Sequence, residues 1–215
     1  MNRLTKIADK YCYTDKGTNG DGHLYTEFYQ PFFEKFENPK ILEFGTYMGG
    51  SAHMFNDFFD GNCEIWTCDI GYDAYDYIKD IPNIHFEHID LNSQELINKF
   101  KEKLNGIKFD IIIDDAEHVW WQQLNLLYNF HDYLNNNGIY IIEDLQNSRI
   151  YTDPENSPLY FLNFLSPNIM LSKEQNDKIL SSIKDVQIFN RKNDGKDMVE
   201  YFGGRSITSI ITFNN

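Results

Sequence analysis

Two short acidic stretches bring together residue types that could do chemistry. Asp114-Asp115-Ala116-Glu117-His118 and Glu143-Asp144 each follow an apolar run, Phe109–Ile113 and Ile139–Ile142. If those runs are neighbouring strands, Asp115, Glu143 and Asp144 converge on one edge. Crowded carboxylates repel unless they are protonated or bind a cation, and all-oxygen ligation suits Mg²⁺ with retained waters. Such an ion lowers the pKa of a bound alcohol, and His118, one helical turn beyond Asp115, could take the proton. Acids at strand ends also serve as helix caps, and a lone histidine is commonly a core or surface group. Here several such residues gather at the edge where α/β folds keep their sites.

A second stretch, Ile41-Leu42-Glu43-Phe44-Gly45-Thr46-Tyr47-Met48-Gly49-Gly50-Ser51, reads as a buried strand, a tight turn and a helix start. Its glycines let the backbone approach a ligand closely, and the helix opens with free N–H groups. The spacing is Gly-x-x-x-Gly-Gly, not the Gly-x-Gly-x-x-Gly that seats a pyrophosphate. Glu43 would repel a phosphate and suits a cationic ligand such as the amino acid end of S-adenosylmethionine. Asp69 ends the next strand about 20 residues after this turn, the position that accepts hydrogen bonds from a ribose diol. A turn-capping aspartate is the plainer reading of that residue.

These stretches need a scaffold, and the hydrophobic pattern supplies one. Strands are expected at 41–44, Glu64–Asp69, Ile84–Ile89, Phe109–Asp115 and Ile139–Ile142, with helices at 52–59, 93–104 (capped by Ser93) and from Trp120 to Leu134. Asn135-Asn136-Asn137-Gly138 reads as the loop closing the last of these. Ahead of them lie a short helix within residues 1–12, a glycine-rich loop at 13–22, and an aromatic stripe, Phe28, Tyr29, Phe32, Phe33 and Phe36, expected in the core. Residues 145–184 read as an insertion with Pro154, Pro158 and Pro167 and a helix from about Ser172, expected to cover the site. Val186–Phe189 and Ser206–Phe213, joined through a turn at Asp194-Gly195, read as closing strands antiparallel to each other. The fold class is α/β: a doubly wound, Rossmann-like, mostly parallel seven-stranded sheet with helices on both faces and a terminal antiparallel strand. The whole, 1–215, is expected to form a single domain: an N-terminal segment 1–38, a cofactor- and metal-binding core 39–144, the insertion 145–184 and the closing strands 185–215.

Bulk properties narrow the partners. The formal net charge of −14 over 215 residues opposes a nucleic-acid surface. The opening Met1–Lys10 lacks the apolar core of a signal peptide, and no apolar run approaches the roughly 20 residues of a membrane helix, so a cytoplasmic protein without membrane partners is expected. Cys12, Cys63 and Cys68 lack metal-like spacings and read as reduced thiols. His53, His85, His88 and His131 read as structural, and His23, beside the glycine-rich loop, is left open. The loop at 13–22 could order across an interface between copies of the chain.

The residues from Leu42 to Ser51 resemble the first motif of class I S-adenosylmethionine-dependent methyltransferases, especially the metal-dependent O-methyltransferases of catechol type. The acid closing the fourth strand and the acidic pair closing the fifth resemble that group's metal constellation. Catechol-type enzymes place a lysine base three positions after the first metal ligand. A histidine takes that place in the macrolide-sugar enzymes of macrocin and mycinamicin type, and here the residue is His118. Tyr13-Thr14-Asp15-Lys16-Gly17, with His23 and Tyr25, is similar to the segment preceding the catalytic domain in the sugar-modifying group. The resemblance covers about residues 10–145. It implies that Glu43, Gly45, Thr46, Tyr47 and Ser51 line the cofactor, Asp69 holds the ribose and Asp90 lies near the adenine. It further implies that Asp115, Glu143 and Asp144 hold Mg²⁺ and that His118 is the base. The division that gives Asp115 to the metal and Asp114 to the cofactor side rests on the spacing to His118.

The resulting expectation is an S-adenosylmethionine- and Mg²⁺-dependent O-methyltransferase acting on a sugar hydroxyl, its acceptor a small molecule or glycan. Trp120, Trp121, Tyr151, Tyr160 and Phe161 are candidate platforms for a sugar ring. A catechol-like phenol is the rival acceptor. A nicotinamide-dependent oxidoreductase fits Asp69 but neither the glycine spacing nor the acidic cluster, and a nonenzymatic binding module would leave both motifs without a ligand.

Overall fold

A computed structural model describes residues 1–19, 22–146, 154–192 and 205–214. Gly20 and Asp21 of the glycine-rich loop, Tyr151, and the turn at Asp194-Gly195 lie outside the described residues. The chain forms two compact units, Met1–Phe109 and Asp110–Asn215.

In the first unit, helix α1 (Arg3–Ala8) starts where the Asn2 side chain accepts the Thr5 N–H. Helix α2 (Tyr25–Phe33) carries the aromatic stripe, and Tyr25, Tyr29, Phe32 and Phe33 are buried. Its rings stack in series, Tyr25 on Tyr29 and Tyr29 on Phe33, and Phe33 meets Phe55 edge-on. Phe55 belongs to α3 (Gly50–Phe58), which follows strand β1 (Lys40–Phe44). Then come β2 (Glu64–Asp69), a short α4 (Tyr75–Ile78), β3 (Ile84–His88) and α5 (Gln94–Leu104). Ser93 caps α5 through the Leu96 N–H, and its apolar face buries Ile97, Phe100 and Leu104. Strands β1, β2 and β3 are parallel, with Ile41 beside Ile65 and Thr67 beside Phe86.

The second unit takes most of β4 (Phe109–Asp114), whose Ile111, Ile112 and Ile113 are fully buried, as an unbroken apolar run requires. Helix α6 (Trp120–Phe130) runs into a 3₁₀ turn at His131–Tyr133 and then β5 (Leu134–Ile142). Asn135–Gly138, expected as a loop, is thus strand. Asn135 Nδ2 donates to Asp110 Oδ1 at 2.7 Å, and a Cβ at Gly138 would stand 2.8 Å from the Asn135 carbonyl oxygen. Long-range pairing here overrides poor strand propensity. Within the proline-bearing segment lie α7 (Pro158–Phe164), capped by Ser157, and α8 (Lys173–Ser182), whose Ser172 and Gln175 form a reciprocal capping box. The closing strands are β6 (Ile183–Lys192) and β7 (Arg205–Phe213), antiparallel to each other, with β7 antiparallel to β5. The strands hydrogen-bond in the order β3-β2-β1-β4-β5-β7-β6, a mixed, mostly parallel sheet of seven strands. Among the described residues no helix is long and apolar enough to cross a membrane.

Candidate active site

In the first unit the turn after β1 is wound tightly. Gly45, Tyr47 and Gly49 all have positive φ, 93°, 47° and 80°. For Tyr47 that is a strained conformation, and it is held: the Tyr47 N–H donates to Asp69 Oδ2 at 2.7 Å, while Gly71 N–H donates to Asp69 Oδ1 at 2.8 Å. Asp69 therefore ties its own strand end to the turn. Tyr47 itself is 69% exposed. Gly50 is needed for close approach, because a Cβ there would lie 2.8 Å from the carbonyl carbon and oxygen of Tyr13. The segment expected to precede the catalytic core thus lies directly against the start of α3.

Glu43 is not on the surface of this turn. It is fully buried, and the Thr67 hydroxyl donates to its Oε2 at 3.3 Å. Since Thr67 has one hydroxyl proton, Thr46 Oγ1, 2.5 Å away, is the donor in the Thr46–Thr67 pair. A relay of hydroxyls thus runs from Thr46 through Thr67 to the Glu43 carboxyl beneath the glycine turn. Ser51 is buried in the first turn of α3, and Asp90 lies past the end of β3, accepting the Asn92 N–H at 2.9 Å.

In the second unit one atom each of Asp115, His118 and Asp144 lies within 4.8 Å of the others. His118 Nε2 is 3.1 Å from Asp115 Oδ1 and 3.5 Å from Asp144 Oδ2. Both His118 (φ 58°) and Asp144 (φ 52°) hold left-handed backbone, which turns their side chains toward one point just beyond β4 and β5. Burial opposes charge on His118, but the hydrogen bond to Asp115 and the charges of Asp115, Asp144 and Glu143 outweigh it, raising its pKa from 6.5 to about 9. Asp114, one residue earlier, is buried and outside this group. Burial pushes its carboxyl up to about 7, the Ala116 backbone N–H and the charge of His118 offsetting part of that rise. Glu143 is also buried and outside the group, although its charge acts on His118.

Three glutamines hold this arrangement and escaped the sequence reading. Gln123 Nε2 donates to the Glu143 carbonyl at 2.9 Å, and Gln122 Oε1 accepts the Glu117 N–H at 3.2 Å, so the first turn of α6 holds both acidic loops. Gln146 Nε2 donates to Asp144 Oδ1 while its Oε1 accepts the Ile207 N–H at 2.8 Å. The available signal was two adjacent glutamines, Gln122 and Gln123, near the start of a mostly apolar helical stretch, Trp120–Phe130. Of the candidate platforms, Phe161 is fully buried and serves the core, whereas Trp121 is 39% exposed and Trp120 and Tyr160 are half-buried.

The donor chemistry fits a divalent cation. Two carboxylates face one point with an imidazole between them, an arrangement whose like charges are balanced by a proton on His118 or by a metal.

The sheet order and the parallel β1–β3 block make a Rossmann-like α/β fold of the kind found in solved methyltransferases. Among solved structures, the chain is similar to the methyltransferase MycE of the mycinamycin biosynthetic pathway in complex with Mg and SAH, with a TM-score of 0.72 at 17% identity. All of this chain and 55% of that one are covered, so the chain spans about half the length of MycE. A MycE complex that also holds mycinamycin VI gives 0.71 at 17% identity, covering 100% of this chain and 54% of that one. A putative O-methyltransferase from Klebsiella pneumoniae gives 0.56 at 10% identity, covering 99% of this chain and 89% of that one. No protein-family model and no curated protein matches the sequence.

Proposed function

We propose that the chain is an S-adenosylmethionine-dependent, Mg²⁺-dependent O-methyltransferase whose acceptor is a sugar hydroxyl. The observation that carries this reading is the meeting of Asp115, His118 and Asp144 beyond the ends of β4 and β5, in a fold shared with methyltransferases crystallised with Mg and SAH. Asp115 and Asp144 would hold the cation, with Glu143 close enough to add its charge. When bound, Mg²⁺ supplies Lewis acidity that lowers the pKa of an acceptor hydroxyl and draws the carboxylates' charge away from His118.

His118 then has the role of base: its Nε2, which faces both acids, takes the acceptor's proton. S-adenosylmethionine, when bound, would supply the methyl group to the freed oxygen as its carbon–sulfur bond breaks, leaving S-adenosylhomocysteine. The glycine turn would hold the methyl donor, Asp69 its ribose and Asp90 the region of its adenine. The Thr46–Thr67–Glu43 relay would supply negative charge toward the sulfonium's amino acid end. Trp121, exposed three positions after His118 in sequence, supports a ring-shaped acceptor. MycE, of similar fold, is known in a complex with mycinamycin VI, which supports a small-molecule acceptor.

The test is calorimetric titration of S-adenosylhomocysteine and of Mg²⁺ into wild type and the Asp115→Ala/Asp144→Ala variant. Nucleoside binding that survives the double substitution, with Mg²⁺ binding that does not, supports the reading. Absence of nucleoside binding sinks it. Methyl transfer to glycosides but not to catechols would then select the sugar acceptor over the phenol.

A further inference from the structure

We propose that Gln146 is a positioning residue that aims the Asp144 carboxylate at the cation, and this inference rests on the metal reading above. Asp144 needs such a brace. At φ 52° it has left the pleat of β5, so no strand geometry sets the direction of its side chain. It is 5% exposed, so bulk water does not orient the carboxylate either.

A glutamine amide can offer either its oxygen or its nitrogen to a neighbour, and here the choice is forced. The backbone N–H of Ile207 is only a donor, and it reaches Gln146 Oε1 at 2.8 Å. Nε2 must therefore face Asp144, and it donates to Oδ1. Oδ2 is left turned toward His118, 3.5 Å from its Nε2, on the side where Asp115 also stands. The brace is itself anchored. Leu145 N–H donates to the Ile207 carbonyl at 2.9 Å, so residues 145 and 146 bracket Ile207 just beyond the antiparallel β5–β7 ladder, which ends with Ile142 beside Ser209. Gln146 is 9% exposed, which shields both of its hydrogen bonds from competing water.

A purely structural glutamine would tie the strand ends and nothing more, and the two roles separate in measurement. Gln146→Met keeps the length of the side chain and removes both hydrogen bonds. Gln146→Asn keeps the amide but is one methylene too short to reach both partners. The probe is Mn²⁺ alone, titrated by electron paramagnetic resonance into the purified chain. S-adenosylhomocysteine affinity and thermal unfolding are measured in parallel. Both variants are expected to weaken Mn²⁺ binding by about 10–100-fold, the range for residues that orient metal ligands, with nucleoside affinity unchanged.

The deciding step is a double-mutant cycle with Asp144→Asn, which keeps a weaker oxygen donor. If Gln146 works through Asp144, Gln146→Met adds little to the loss already caused by Asp144→Asn. Additive losses would overturn the inference, as would undiminished Mn²⁺ binding in both single variants. Should one variant fail to fold, the other carries the same comparison. Failure of wild type to bind Mn²⁺ would overturn the metal reading and this inference with it, whereas wild-type binding with no loss on substitution overturns this inference alone.

Discussion

His118 Nε2 and Asp115 Oδ1 stand 3.1 Å apart, an ion pair made by residues three positions apart in one loop. His118 is held near pKa 9, above its ordinary value of 6.5. A raised folded-state pKa means that the native protein holds more protons than the unfolded chain between those values. The resulting stability is complete below about pH 6.5 and is lost as pH rises through about 9. Chelator-treated wild type should therefore lose thermal stability across that window. His118→Gln should flatten this part of the profile. A wild-type melting profile level from pH 6.5 to 9 would contradict the pairing.

Gln123 is fully buried and donates to the Glu143 carbonyl at 2.9 Å. Gln123→Ala leaves that buried carbonyl without its side-chain donor and opens space beside it. The expected cost is about 1–3 kcal/mol, read from urea unfolding. Mg²⁺ affinity should fall as well, because the carbonyl belongs to the residue preceding Asp144.

The relay beneath the glycine turn can be cut at one atom. Thr67→Val keeps shape and removes the hydroxyl between Thr46 and Glu43. Leaving a buried carboxylate short of a donor should cost about 1–3 kcal/mol in chemical denaturation. S-adenosylhomocysteine binding should weaken, and unchanged affinity would separate Glu43 from the cofactor site.

Two glycines of similar backbone allow a controlled comparison. Gly61 (φ 77°) has open space where a Cβ would be, so Gly61→Ala should cost only the left-handed strain of about 1–2 kcal/mol. Gly49 (φ 80°) would bring its Cβ to 2.9 Å from Ile78 Cγ2. Gly49→Ala should cost at least about 1 kcal/mol more than Gly61→Ala, by paired urea titrations.

The parts of the fold that were legible in the sequence are those whose signal is local. The apolar run of β1 breaking into glycines, the Ser93 and Ser172 caps, and the aromatic stripe of α2 all declare themselves within a few residues. Asn135–Gly138 did not, because three asparagines and a glycine form strand only through a partner, Asp110, far away in sequence. Helix α7 carried a readable Ser157-Pro158 start that was outweighed by the prolines around it. At the candidate site the acids and His118 were visible as residue types. Which of Asp114 and Asp115 faces His118 depended on where β4 ends: Asp114 is buried as its last residue, and Asp115, one residue past it, is half-buried beside His118. The roles of the glutamines were not legible, because Gln122, Gln123 and Gln146 each take a backbone partner outside their own element.

The bond between Gln146 and the Ile207 amide spans 61 positions of chain. During synthesis every acid of the candidate metal site leaves the ribosome well before the strand that fixes the last of them. Until β7 has emerged and paired with β5, Asp144 would lack the Gln146 brace. The nascent chain would then carry its carboxylates as separate charges, and cation affinity would arrive late and all at once. Order of appearance along the chain would thus become order of assembly, with the closing strand as the final fastener of the candidate centre.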